Sequence, residues 1–170
     1  MAVADALGRP VGRVVGLHAK PETPGERGLP KVDRAFLRVG RDGVEGDFNR
    51  WRHEARHGDP DQALLVLPNE VLEAVAREGW PVRPGHLGEN VTTAGIPYAD
   101  LAPPARFRLG SCEIATSKES APCEFLATLP YVGAERLAAF ERALAHRRGW
   151  YARVLTDGEI RLGDPVLRLA

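Results

Sequence analysis

The chain has 170 residues, with 23 basic and 23 acidic side chains, so one domain with a proper core is expected and the formal net charge is zero. That balance argues against a dedicated nucleic-acid binder, which shows a basic stripe, and no apolar run reaches the roughly 18 residues that span a bilayer. Cys112 and Cys123 are too few for a disulfide framework, and the start MAVADALGRPVGRVV lacks a signal-peptide pattern, so a reduced, soluble, cytoplasmic protein is expected.

Fourteen prolines and 18 glycines are scattered as punctuation, which predicts many short elements joined by turns. Val11–Ala19 is β-branched and alternates, a first strand. Lys20–Lys31, with three prolines and two glycines, is a loop. Ala35–Asp47 reads as two short strands about Arg41-Asp42-Gly43, and the histidine-rich Phe48–Asp61 as an exposed loop. Gln62–Pro68 is a buried strand by its continuous apolar character. A helix follows from Asn69 as N-cap to Gly79 as terminator, with Val71, Leu72, Val75 and Ala76 as its apolar stripe.

Arg83–Gly95 is a glycine-rich loop leading into a short strand, and two strands flank Gly110-Ser111. Leu137, Phe140 and Leu144 lie at helical spacing. The end of the chain reads as strand, Asp157-Gly158 hairpin turn, strand and last strand. About seven to nine strands with two or three helices, without βαβ alternation, favour a mainly β fold, an antiparallel barrel or sandwich.

Cys112, in the middle of a strand, reads as an inert core thiol. Cys123 directly follows Pro122 at a strand-to-helix join, where packing, metal ligation and nucleophilic chemistry all remain open. A helix beginning at Pro122 would put the thiol at a positive helix end, favouring the thiolate that attacks electrophiles and binds soft metals. HEARH places His53 and His57 four apart in the zinc-protease string, yet in a loop-like context with no third ligand, so a solvated loop is the simpler reading. His57, Asp61 and Gln62 lie at the mouth of a strand, where they either meet a ligand or satisfy turn backbone. Asn90, Thr92 and Thr93 form a candidate phosphate cradle. Arg147 and Arg148 either fork onto a phosphate or face a helix C-terminus.

Seven pieces in order, GVEGD, HGDPDQALLVLPNE, PGHLGENVTTAG, RFRLGSCEIATS, APC, RRGWYARVL and GEIRLGD, resemble the MOSC domain. That module is the C-terminal part of molybdenum cofactor sulfurases and also stands alone. The resemblance covers the chain from about Val11 to its end and implies a single domain over residues 1–170. It implies a largely antiparallel β-barrel with two or three helices packed outside. It also implies binding of the molybdenum cofactor (molybdopterin), with Cys123 as molybdenum ligand and catalytic residue. The expected activity is reduction of N-hydroxylated bases or related small compounds. No flavin, haem or iron–sulfur motif is present, so a separate electron-donor protein is expected. The alternatives are a sulfur carrier using a Cys123 persulfide and a non-catalytic module for anionic ligands.

Pyridoxal phosphate, associated with the sulfurases, is not expected here, because Lys20, Lys31 and Lys118 are the only lysines and none has a Schiff-base setting. The chain departs from the family pattern at three places. Asp59 stands where many relatives have glycine. Ser120 replaces an arginine two residues before Pro122, with Lys118 as a substitute cation. His86 stands where an aromatic is usual.

Overall fold

The computed structural model describes residues 8–26, 28–48, 52 and 57–170. The expected HEARH pair lies partly outside this set, since His53 is not among the described residues. The first strand, β1 (Arg9–Ala19), is followed by β2 (Val32–Asp33), β3 (Phe36–Gly40) and β4 (Gly43–Val44). Then come β5 (Leu64–Pro68), helix α1 (Asn69–Arg77), β6 (Val91–Ala94), β7 (Arg106–Leu109) and β8 (Cys112–Glu119). Helix α2 (Gly133–Leu144), β9 (Trp150–Thr156), β10 (Gly158–Arg161) and β11 (Pro165–Arg168) complete the order. No helix among the described residues is long and apolar enough to cross a membrane.

Seven of these strands close on themselves in the order β1-β11-β7-β8-β9-β5-β6 and back to β1. The first strand can serve two partners because it is long and bulged. It pairs with β11 through Arg9–Arg13 and with β6 through Arg13–Leu17, with register shifts at Pro10/Gly12 and Val14/Gly16. Gly12 sits at the tightest point, where a Cβ would collide with the Ala94 carbonyl oxygen and lie 2.6 Å from Ile96.

The barrel expectation holds, but the barrel is mixed: β5 and β6 run parallel, with Val66 opposite Val91. A parallel neighbour needs a long crossover, and α1 with the loop after it supplies one. The β5-α1-β6 unit is thus the βαβ step the sequence pattern did not reveal. Asn69 is the first residue of α1, with Pro68 before it at the cap position, and the Asn69 amide donates to Glu73 at 2.8 Å. The Asp157-Gly158 hairpin does not form. The ninth strand stays in the barrel, whereas β10 joins β3 and β4 in a separate three-stranded sheet. Gly158 permits that crossing, because a Cβ there would meet the Ser111 and Cys112 backbone at 2.5 Å.

Two cores explain the layers. Leu64 and Val66 point into the barrel with Ile114, Ala152 and Val154, and Leu37, Val39 and Ile160 of the small sheet join the same cluster. Leu67 faces outward into a second core with Leu72, Val75, Leu126, Phe140 and Leu144, where Trp80 and Phe140 rings lie 4.7 Å apart. The run Leu64–Pro68 is therefore apolar throughout because it is buried on both faces.

Candidate functional site

Leu65 pairs with Tyr151, and Tyr151 with Lys118, forming one row across β5, β9 and β8. Directly opposed residues share a face, and this face is the outer one, because Ala152 and Val154 occupy the interior. All three side chains line a cavity of about 390 Å³. The candidate site thus lies on the outer wall of the barrel.

The Lys20–Lys31 loop forms the other side of the cavity through Pro21, Thr23 and Leu29. Asp47 ties both ends of that loop. Its Oδ1 accepts from the Lys20 backbone N–H at 2.9 Å, and its Oδ2 from Lys31 Nζ at 2.6 Å and Asn90 Nδ2 at 2.9 Å. Asp47 was not singled out from the sequence, although it ends the family-like GVEGD piece. Only the long-range pairing reveals what it holds.

Cys123 is partly exposed, with extended backbone (φ −145°, ψ 163°), and precedes a five-residue 3-10 turn, Glu124–Thr128. The expected helix from Pro122 is therefore absent, and so is the helix end that was to favour a thiolate. A different group supplies positive charge. Nη1 of Arg148 lies 3.4 Å from the Cys123 sulfur and also donates to the Ala121 carbonyl, while Nη2 donates to the Leu87 carbonyl at 3.2 Å.

Arg148 is only 6 % exposed, its Nε has no hydrogen-bond partner, and no carboxylate pairs with it among the described residues. A buried cation without a counter-charge is costly. The arrangement calls for an anion on the cavity side.

The chain separates the two arginines just after α2. His146 takes a left-handed backbone (φ 58°), so Arg147 turns outward to a forked pair with Glu78 while Arg148 turns in. Gln62 is 3 % exposed, lines the cavity and has a buried Oε1 without a partner. Lys118 Nζ donates to Asp59 Oδ2 at 3.0 Å.

The remaining expected residues lie elsewhere. Asp61 pairs with Arg153 at 2.8 Å, and His57 is exposed with φ 50°. Thr92 and Thr93 are fully buried in β6. Asn90 is a structural clip: its Oδ1 accepts from Leu65 N–H at 3.1 Å, and its Nδ2 donates to the His18 carbonyl at 3.2 Å as well as to Asp47. Ser120 is 1 % exposed and outside the cavity lining. No cluster of three or more His, Cys, Asp or Glu residues suited to a metal occurs among the described residues.

Cys112 is fully buried, and burial, then Asp157 and Glu113, push its thiol up to about 12. Two further buried titratable groups were not singled out as functional from the sequence. Burial lowers His18 to about 4, and burial raises Glu89 to about 7. Glu89 Oε1 accepts the Gly85 N–H at 2.5 Å, closing the loop whose Leu87 carbonyl holds Arg148.

A family model described as the MOSC domain matches residues 53–167, well over half of the chain, and the chain belongs to that family. An uncharacterized protein of Bacillus subtilis, YflK, is 27% identical over 139 residues. That match covers 79% of this chain and 59% of the relative, so the chain spans less than two thirds of YflK. YiiM from Geobacillus stearothermophilus superposes with a TM-score of 0.65 at 27% identity, covering 95% of this chain and 75% of YiiM. The YUAD protein of Bacillus subtilis shares the fold, with a TM-score of 0.73 at 19% identity over 91% of this chain and 93% of YUAD.

Proposed function

We propose that this MOSC-domain protein binds the molybdenum cofactor through Cys123 and reduces small N-hydroxylated bases in the cytoplasm, with electrons from a separate protein. One observation carries the reading: a buried guanidinium with no carboxylate partner among the described residues lies 3.4 Å from a partly exposed sulfur on the wall of a cavity of about 390 Å³. That volume is in the range of small-molecule and cofactor sites. The donor set also fits a soft metal that carries anionic ligands of its own. Cys123 offers the sulfur, Arg148 the compensating charge beside it, and Gln62 a buried carbonyl oxygen with unused bonding capacity.

When bound, the cofactor would supply a redox-active metal centre. The protein's own residues hold and orient. Arg148 is braced by two backbone carbonyls, so its charge cannot swing away from the sulfur. Leu65 and Leu29 give the cavity wall apolar patches, and the Lys20–Lys31 loop, pinned at both ends by Asp47, forms its other side.

Elemental analysis and pterin fluorescence on protein from a molybdate-replete host test the reading. Near-stoichiometric molybdenum in the wild type, lost in Cys123→Ala with the fold intact, is expected. Metal-free wild type with a persulfide mass increment at Cys123 would replace this reading with sulfur carriage.

A further inference from the structure

Glu89 is fully buried and lies outside the cavity lining. Its Oε1 accepts the Gly85 N–H at 2.5 Å and the Thr92 hydroxyl at 3.4 Å, while its Oε2 has no partner. Burying a carboxyl is costly, so its place here calls for a reason. The charged groups around it do not supply one. Lys31, the cation that acts on it, is spent on Asp47 at 2.6 Å. The His18 ring meets the Glu89 backbone, has Asp33 3.4 Å from its Nε2 and is lowered by burial to about 4, so it is uncharged at neutral pH. Tyr131 also faces the carboxyl, and its hydroxyl is bonded to His86 Nδ1 at 2.9 Å.

What Glu89 holds is a turn. Gly85 and Gly88 both take a left-handed backbone (φ 87° and 88°), and a Cβ on Gly85 would lie 2.7 Å from the Lys31 carbonyl oxygen. The Lys31 N–H donates to the Gly85 carbonyl at 2.9 Å, which joins the turn to the end of the Lys20–Lys31 loop. Within the turn, Leu87 serves both sides. Its N–H faces the Glu89 carboxyl, and its carbonyl accepts from Arg148 Nη2 at 3.2 Å. Nη1 of the same guanidinium is the atom 3.4 Å from the Cys123 sulfur. The other brace, the Ala121 carbonyl, lies two residues before Cys123, so Leu87 is the brace that an independent segment sets.

We propose that Glu89 is a positioning residue for the Cys123 site: by closing the Gly85–Glu89 turn it holds the Leu87 carbonyl where that carbonyl orients Arg148 toward the sulfur. This rests on the reading of Cys123 and Arg148 as the site and extends it to a residue that touches neither. Without an acceptor at Oε1 the Gly85 N–H is orphaned, the turn loses its closure and the guanidinium loses the brace from its second side. Ionised, Glu89 places a negative charge on the turn side of Arg148 and draws the guanidinium away from the sulfur. Burial, opposed by the N–H groups of Gly85, Glu89 and Leu87 and by Lys31, leaves the carboxyl at about 7, so the turn changes charge near neutral pH.

The test is the ratio of iodoacetate to iodoacetamide rates at Cys123, followed by mass in the cofactor-free full chain. Both reagents attack the same thiolate, so its fraction cancels and the ratio reports the charge beside the sulfur. At about pH 6, Glu89→Gln keeps the accepting oxygen and should match wild type, while Glu89→Leu loses it and should fall several-fold, toward the value of Arg148→Met. Asn90→Ala, which strips bonds from the neighbouring framework and none from the turn, should keep the wild-type ratio. Between about pH 6 and pH 8 the wild-type ratio should fall roughly threefold, and Glu89→Gln should lack that fall. An unaltered ratio in Glu89→Leu, an equal fall in Asn90→Ala, or superimposed pH curves for wild type and Glu89→Gln overturns the positioning role and leaves Cys123 and Arg148 standing as the site. If Glu89→Leu does not fold, the pH comparison decides. If Arg148→Met itself leaves the ratio unchanged, the proposal falls with the charge beside the sulfur, while molybdenum content still tests Cys123 separately.

Discussion

Two polar-rich segments flank the cavity, and they behave in opposite ways. In the Gly85–Thr93 segment Glu89 is spent on Gly85 and Asn90 on Leu65, His18 and Asp47, while the unpartnered Glu89 Oε2 and Thr93 Oγ1 are buried away from the cavity lining. At the Ser120–Cys123 junction, the residues meeting Arg148 leave a sulfur partly exposed and a guanidinium with no carboxylate partner among the described residues. The first segment is framework and the second is the site. Residue type does not separate them, because asparagine, threonine and arginine suit a phosphate equally well on paper. Unused bonding capacity at a cavity wall does separate them.

The comparison breaks most sharply at Asn90. Asn90→Ala leaves the Leu65 N–H without its side-chain partner and takes one donor each from the His18 carbonyl and from Asp47 Oδ2, which keeps Lys31. A loss of about 3 kcal/mol in chemical denaturation is expected, as for other buried groups stripped of partners. Cys123→Ala should leave the denaturation midpoint nearly unchanged while emptying the site of molybdenum. Similar stability of the two variants would remove the distinction between framework and site.

Glu89 offers a second test, in pH. Its carboxyl is raised from 4.5 to about 7 by burial, so the native state holds a proton that the unfolded chain releases. The resulting stabilisation is complete below about pH 4.5 and is lost as pH rises through about 7. His18, lowered to about 4, works in the opposite sense, contributing stability above about 6.5 that is lost as pH falls through about 4. The two effects overlap, so the wild-type curve alone is uninformative and the variant difference is the measurement. Glu89→Gln should gain on wild type between pH 5 and pH 8, by about 3 kcal/mol at most. A flat difference across that range would remove Glu89 from the titrating groups.

Smaller effects sharpen the comparison at Arg148. Its charge should draw an anionic alkylating agent to Cys123, so the ratio of iodoacetate to iodoacetamide rates in cofactor-free protein should fall several-fold in Arg148→Met. Arg147→Ala should alter neither this ratio nor the denaturation midpoint beyond error, because its pair with Glu78 is at the surface. A ratio that responds to Arg147 and not to Arg148 would reverse the assignment of the two arginines.

Much of this was legible in the sequence because the signals are local. The first strand, the Gly110-Ser111 hairpin, both helices and the run Leu64–Pro68 follow from periodicity, turn residues and length. So does the contrast between a core Cys112 and a distinct Cys123, and seven ordered motifs marked the MOSC family. Tertiary structure decided the rest, because it depends on which strand lies beside which. The parallel β5–β6 pair, the transfer of β10 to the small sheet and the outer-wall position of the cavity are all long-range outcomes. Arg147 and Arg148 are adjacent and chemically identical. A left-handed residue at His146 and partners 61 and 69 residues away sent one inward to Leu87 and the other outward to Glu78. Local sequence determines which bonds a residue can make; only the assembled fold determines which of them remain unused.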